Sequence, residues 1–315
     1  MIIKAAHESG YDDCGIIPLD DMDGFKDNLK KRKRKAPSSA VIYHVVGDLA
    51  GIKKRFPWAK SVVICTYWIG RYRFPESLQG KYAKSFLLSP DSPINPEADE
   101  KLRHLEKWFE ENGIRYDGGA NYGFLSIGSL RHAAEMAGLG IIRKNNFFYT
   151  EKGSFVNLMG YVIDKECTLY GKANLKPCPE NCDLCRKACG TKALKAPYTM
   201  SPIKCISFWT TFGKGRCPPF LRKKSFGEWI CGCDACQDAC PHNRKHDWSV
   251  GQDFPQLDEL KDCLQPENVL LDIDSGVVEK ISQLSANHIG PDEKKAAIRN
   301  CKRSIANRPD DDVPA

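Results

Sequence analysis

The sequence predicts an α/β (α+β) architecture in three segments. Strand-like runs alternate with amphipathic helices over residues 1–165, cysteines crowd into 166–245, and short helical patterns fill 246–315. With 315 residues, 42% of them hydrophobic, the chain can bury one large core or two ordinary ones.

In the first segment, Ser61 to Ile69 ("SVVICTYWI") is a β-branched and aromatic run suited to a buried strand. "EADEKLRHLEKWFEENG" places Leu102, Leu105, Trp108 and Phe109 on one helical face, acidic residues early and Gly113 at the stop. "IGSLRHAAEMAGLG" reads as a second helix ended by Gly138 and Gly140. Gly153 to Asp164 ("GSFVNLMGYVID") returns to strand character. The tail from Glu267 suggests two or three amphipathic helices before "RPDDDVPA", which reads as a frayed end.

Charge sets weaker bounds. Forty-seven basic against forty acidic residues leave a formal charge of +7, a lean toward an anionic partner. The one dense basic run, Lys30 to Lys35, could touch phosphates but reads first as a solvated helix end. No apolar run of about eighteen residues occurs, and "MIIKAAHESGYDDCG" has no secretory leader pattern. The expected location is the cytoplasm, with no membrane partner.

That location gives the fifteen cysteines their meaning, because a reducing compartment disfavours a disulfide framework and favours metal or redox use of closely spaced thiols. Eleven of them lie in 161–245. Cys178-x3-Cys182-x2-Cys185-x3-Cys189 is followed by Cys205 and then by Cys233-x2-Cys236-x3-Cys240-Pro241. The second run matches the back half of the bacterial ferredoxin pattern, in which thiolates hold a 4Fe-4S cube and the last cysteine serves a neighbouring cube. Two such runs imply two cubes. If each run lends its last cysteine to the other, one cube takes Cys178, Cys182, Cys185 and Cys240, and the second takes Cys189, Cys205, Cys233 and Cys236. A pair of four-cysteine zinc sites is the competing reading, although zinc needs no three-residue step ending in Cys-Pro. Cys217 and Cys231 read as spare thiols, and Cys14, Cys65, Cys167, Cys263 and Cys301 as ordinary ones.

Two cubes form an electron wire, and a plain carrier has no need of 160 preceding residues. The length favours an enzyme with its own redox cofactor, fed by a low-potential donor of the ferredoxin or flavodoxin kind.

From about Gly118 to Arg244 the chain resembles the epoxyqueuosine reductases, cobalamin-dependent enzymes that complete the queuosine base of tRNA and share a core with the corrinoid reductive dehalogenases. The resemblance is carried by "AEMAGLGIIRKNNFFYTEKGSFVNLMGYVID", "NCDLCRKAC", "PIKCISFWT" and "CGCDACQDACPHNR". It implies a nitroreductase-like N-terminal domain over 1–165 that binds cobalamin base-off, a ferredoxin-like double 4Fe-4S module over 166–245, and a short helical tail over 246–315. Gly138, Leu139, Gly140, Lys144 and Asn145 match the stretch that wraps the corrin. A helix C-cap and turn is the plain alternative for the same residues, and it needs only one glycine.

The chain departs from that family in two places. Its reductases carry an aspartate, the proposed proton donor, at the position where this sequence has Phe124, and the nearest substitute acid is Tyr122. They also carry helical repeats that grip tRNA, for which this tail leaves room for a remnant only. Arg131, Arg143, Tyr149, His132 and His242 are further polar candidates. The leading expectation is a cobalamin-dependent iron-sulfur reductase acting on a small molecule or a modified nucleoside. An electron-transfer protein serving another corrinoid enzyme and a true epoxyqueuosine reductase acting on tRNA stand beside it.

Overall fold

The computed structural model describes residues 1–40, 50–90, 96–119, 127–273 and 294–308. Its centre is a four-stranded sheet built from β1 (Asp13–Pro18), β2 (Ser61–Trp68), β3 (Tyr116–Gly118) and, after a two-stranded hairpin of β4 (Ile141–Ile142) and β5 (Phe148–Tyr149), β6 (Val156–Ile163). The order is β1-β2-β6-β3, and all three pairings are antiparallel. The fold is thus mixed α/β with an antiparallel sheet, since the helices connect strands without making parallel crossovers.

Strand alternation divides the core. From β2, Val63, Cys65 and Tyr67 join one apolar cluster, and Val62 and Ile64 join the other. Both faces are therefore covered, which is why the run reads as continuously apolar. Helix α1 (Ile2–Glu8) buries Ala5 and Ala6 on the first face. Helix α2 (Gly24–Lys35) buries Phe25 and Leu29 and leaves the basic run largely in solvent, as a helix end. Helix α3 (Pro96–Glu111) presses Leu102, Leu105 and Phe109 onto the first face. Each such burial stabilises by roughly 1.5–3 kcal/mol. The helix stops at Gly113, whose φ of +59° lies in the left-handed region that favours glycine. Helix α4 (Leu130–Met136) lays Ala133 and Ala134 on the second face.

The C-terminal residues return to the first core: Leu257, Leu264, Val269, Ala297 and Cys301 pack in the same cluster as α1 and α3. No helix among the described residues is long and apolar enough to cross a membrane. Tyr122 and Phe124, and the residues 309–315 expected to fray, lie outside the described residues.

Candidate functional site: two thiol clusters joined to the sheet

The chain leaving β6 is strapped back across the sheet. Leu169 exchanges backbone hydrogen bonds with Ile16, Gly171 N–H donates to Ala137 O at 2.7 Å, and Ala173 N–H to Gly138 O at 3.0 Å. The strap passes this close because Gly138, with φ of +71°, has no side chain; a Cβ there would sit 2.5 Å from Gly171 O. It delivers the backbone to Cys178.

From there two short helices carry the middle cysteines. Helix α5 (Leu184–Ala188) holds Cys185, helix α6 (Ala235–Asp238) holds Cys236, and the two pack together. Cys178, Cys182, Cys185 and Cys240 line one cavity, and the Cys185 thiol is pushed up to about 11 by burial and then by the other three. Cys205, Cys233 and Cys236 are raised chiefly by burial. Cys205 is within electrostatic reach of Cys189, Cys233 of Cys205 and Cys236, and Cys236 of both Cys205 and Cys189. Cys236 also reaches Cys185, so the two sets are neighbours. Ala193 N–H donates to Cys189 Sγ at 3.2 Å.

Cys185, Cys205, Cys233 and Cys236 therefore hold their protons tightly, and a cation that takes the protons' place removes both the repulsion and the burial cost. Among the described residues no three His, Cys, Asp or Glu side chains converge closely enough for a single metal ion. A four-thiolate zinc site draws its ligands in to bonds of about 2.3 Å. A cube, being larger, takes its thiolates further apart.

Residues 178–243 match the family model described as a 4Fe-4S double cluster binding domain. The epoxyqueuosine reductase of Prochlorococcus marinus (strain NATL2A) is 37% identical over 114 residues, a match spanning 36% of each chain, so about a third of that relative's length is shared. The epoxyqueuosine reductase of Bacillus subtilis (strain 168) is 29% identical over 97% of this chain and 78% of its own. A crystal structure of epoxyqueuosine reductase with an epoxyqueuosine-modified tRNA stem loop superposes with a TM-score of 0.71 at 25% identity, covering 97% of this chain and 80% of that one. The chain is epoxyqueuosine reductase-like.

In this epoxyqueuosine reductase-like chain the five residues matched to a corrin cradle are engaged with the protein itself. Gly138 makes room for the strap, and a Cβ on Gly140 would meet Tyr149 O at 2.1 Å. Leu139 is buried in the second core. Lys144 Nζ donates to the carbonyls of Pro179, Glu180 and Cys182 at 2.6, 2.6 and 3.1 Å, fixing the loop that starts the first cysteine run. Asn145 Nδ2 donates to Tyr149 Oη at 2.8 Å and to Cys236 O at 3.2 Å. A cleft beside Gly138 and Leu139, lined also by Trp68, Lys152 and Lys172, holds about 250 Å³. Gly138 to Asn145 thus joins the sheet to the cysteine loops.

Other candidates are also placed. His132 is buried with Nε2 3.1 Å from Asp21 O, and Arg131 donates to Asn146 O. His242 is exposed near the edge of the Tyr149 ring. Burial, followed by a hydrogen bond with Cys240, raises the Tyr149 phenol. Cys231 is buried in the first core, and Cys217 Sγ lies 3.5 Å from Leu221 O. Cys14 and Cys65 face each other across β1 and β2.

Two features have no sequence signature. Lys84, from the N-terminal half, is buried against Asp234 and Asp238, beside Cys233 and Cys236. A second network joins Ser154, Gln237 and Asn243 through bonds of 2.8–2.9 Å.

Proposed function

We propose that this chain is an oxidoreductase that reduces epoxyqueuosine in tRNA with electrons passed through two 4Fe-4S clusters. The observation that carries the reading is the likeness over 97% of the chain to an epoxyqueuosine reductase structure holding an epoxyqueuosine-modified tRNA stem loop. In this reading Cys178, Cys182, Cys185 and Cys240 ligate one cluster, and Cys189, Cys205, Cys233 and Cys236 the other. The fit rests on two sets of four thiols within electrostatic reach, in which burial raises Cys185, Cys205, Cys233 and Cys236. Bound clusters supply single electrons at low potential. Removing the epoxide oxygen as water breaks two C–O bonds, forms a C=C bond and consumes two electrons and two protons. A ferredoxin or flavodoxin in a reducing cytoplasm supplies the electrons.

The division into a nitroreductase-like domain over 1–165, a cluster module over 166–245 and a tail over 246–315 belongs to the same reading, with one amendment: the tail's apolar residues complete the first domain's core. Tyr122 is the nominated acid, because the sequence has no carboxylate between Asp117 and Glu135. Base-off cobalamin is implied by the resemblance alone, at Gly138, Leu139, Gly140, Lys144 and Asn145, where Lys144 and Asn145 are also bonded to the cysteine loops. No step is routed through it.

A groove of about 810 Å³ supports an RNA partner. The exposed Arg216, Lys223, Arg299 and Lys302 line it beside Trp209, a composition suited to phosphates and a stacked base.

An electron carrier is the second reading, favoured by the closed packing of Gly138 to Asn145. One experiment separates the two. Anaerobically purified protein is reduced and given tRNA bearing epoxyqueuosine, and the nucleosides are weighed. Loss of one oxygen establishes the reductase; two loaded clusters with unchanged tRNA and no cobalt establish the carrier.

A further inference from the structure

Arg143 is 1% exposed and the largest fully buried side chain among the described residues. Its Nη1 points at Cys178 Sγ, 3.8 Å away, and its guanidinium carbon lies 5.2 Å from the centre of the Tyr149 ring. Nε and Nη2 have no hydrogen-bond partner, and no carboxylate among the described residues pairs with it. The side chain lines the cavity formed by Cys178, Cys182, Cys185 and Cys240. A buried cation without a counter-ion is among the costliest arrangements a fold can keep. Among the described residues the buried cation beside the second cysteine set, Lys84, is already matched by Asp234 and Asp238.

We propose that Arg143 is the internal counter-charge of the metal group held by Cys178, Cys182, Cys185 and Cys240, and that it raises that group's affinity for an electron. The inference rests on the reading that each cysteine set holds a cube. Four thiolates around an iron-sulfide core carry net negative charge, which grows by one when an electron arrives. A fixed cation at this range stabilises the more negative state more strongly, in a medium where water does not screen it. Arg143 is a positioning residue for the electron, and nothing requires it to touch substrate.

The test is a potentiometric titration of the anaerobic, cluster-loaded full chain, followed by electron paramagnetic resonance, in wild type, Arg143→Lys and Arg143→Gln. The expected result is that one of two reduction waves in Arg143→Gln moves negative by at least about 59 mV, a tenfold change in its reduced-to-oxidised ratio. The other wave stays, and Arg143→Lys restores most of the shift. Two unmoved waves in cluster-replete Arg143→Gln overturn the proposal, as do two waves that move equally. If Arg143→Gln fails to load iron, loading recovered in Arg143→Lys supports the counter-charge, and failure in both overturns it in favour of shape alone. A wild type that loads no cubes sinks the cluster reading itself, an outcome separate from these.

Discussion

Lys84 and Asp234, 150 residues apart, meet in the interior with Nζ 3.6 Å from Oδ2, their side chains 3% and 1% exposed. The Lys84 backbone N–H also donates to Asp234 Oδ2 at 2.8 Å, and Nζ sits over the rings of Phe155 and Trp248 at 5.1 and 5.2 Å. The N-terminal half is thereby pinned to the helix that carries Cys236.

Breaking that pin leaves a charge buried alone. Lys84→Met should therefore cost roughly 3–5 kcal/mol, read as a lower denaturant midpoint, while Lys84→Met with Asp234→Leu recovers a large part of the loss. A single variant within 1 kcal/mol of wild type would show that the pair holds nothing.

Asp234 also predicts a pH dependence. Burial pushes its carboxyl from 3.8 up to about 6 against the opposing pull of Lys84. Between those values the folded chain binds more protons than the unfolded one, so the contribution of this group to stability is greatest below about 4 and falls as pH rises toward 6. In iron-free protein, urea midpoints across this window should decline less in Asp234→Asn than in wild type. Equal slopes in the two would refute the assignment.

Cys185→Ser and Cys236→Ser should each lower the iron and sulfide content by about half or more, whereas Cys217→Ser and Cys231→Ser should leave it unchanged. Chelation of iron under anaerobic conditions should expose 178–243 to protease before the sheet is cut. Iron retained in Cys185→Ser at the wild-type level would remove that ligand from the set.

If the groove beside Trp209 takes tRNA, Arg299→Ala and Lys302→Ala should weaken binding across sequences and each reduce the salt slope of log K by about 1. A slope equal to that of wild type would move the RNA elsewhere.

The double-cluster stretch is legible because its two- and three-residue gaps constrain where a thiol can point. Strand and helix identities at Ser61–Trp68 and Pro96–Glu111 followed equally from local periodicity. Long-range pairings were beyond reach. Nothing near Ser61 announces that β2 will pair with β6, and Lys84 in "KYAKSF" looks like any surface lysine. Gly138 offered two meanings in sequence, a corrin approach or a helix stop, and the structure shows a glycine that admits the chain's own backbone. Arg143 could be noticed but not interpreted, since its significance lies in the partners it lacks.

Cys240 sits with Cys178, Cys182 and Cys185, so the first set is incomplete until nearly the whole module has left the ribosome. If these four hold a cube, it can assemble only after Cys240 has emerged, with the earlier thiols kept reduced and unclaimed while they wait. In that case cells short of iron, or briefly oxidising, should accumulate a chain whose sheet has folded and whose cysteine loops stand empty.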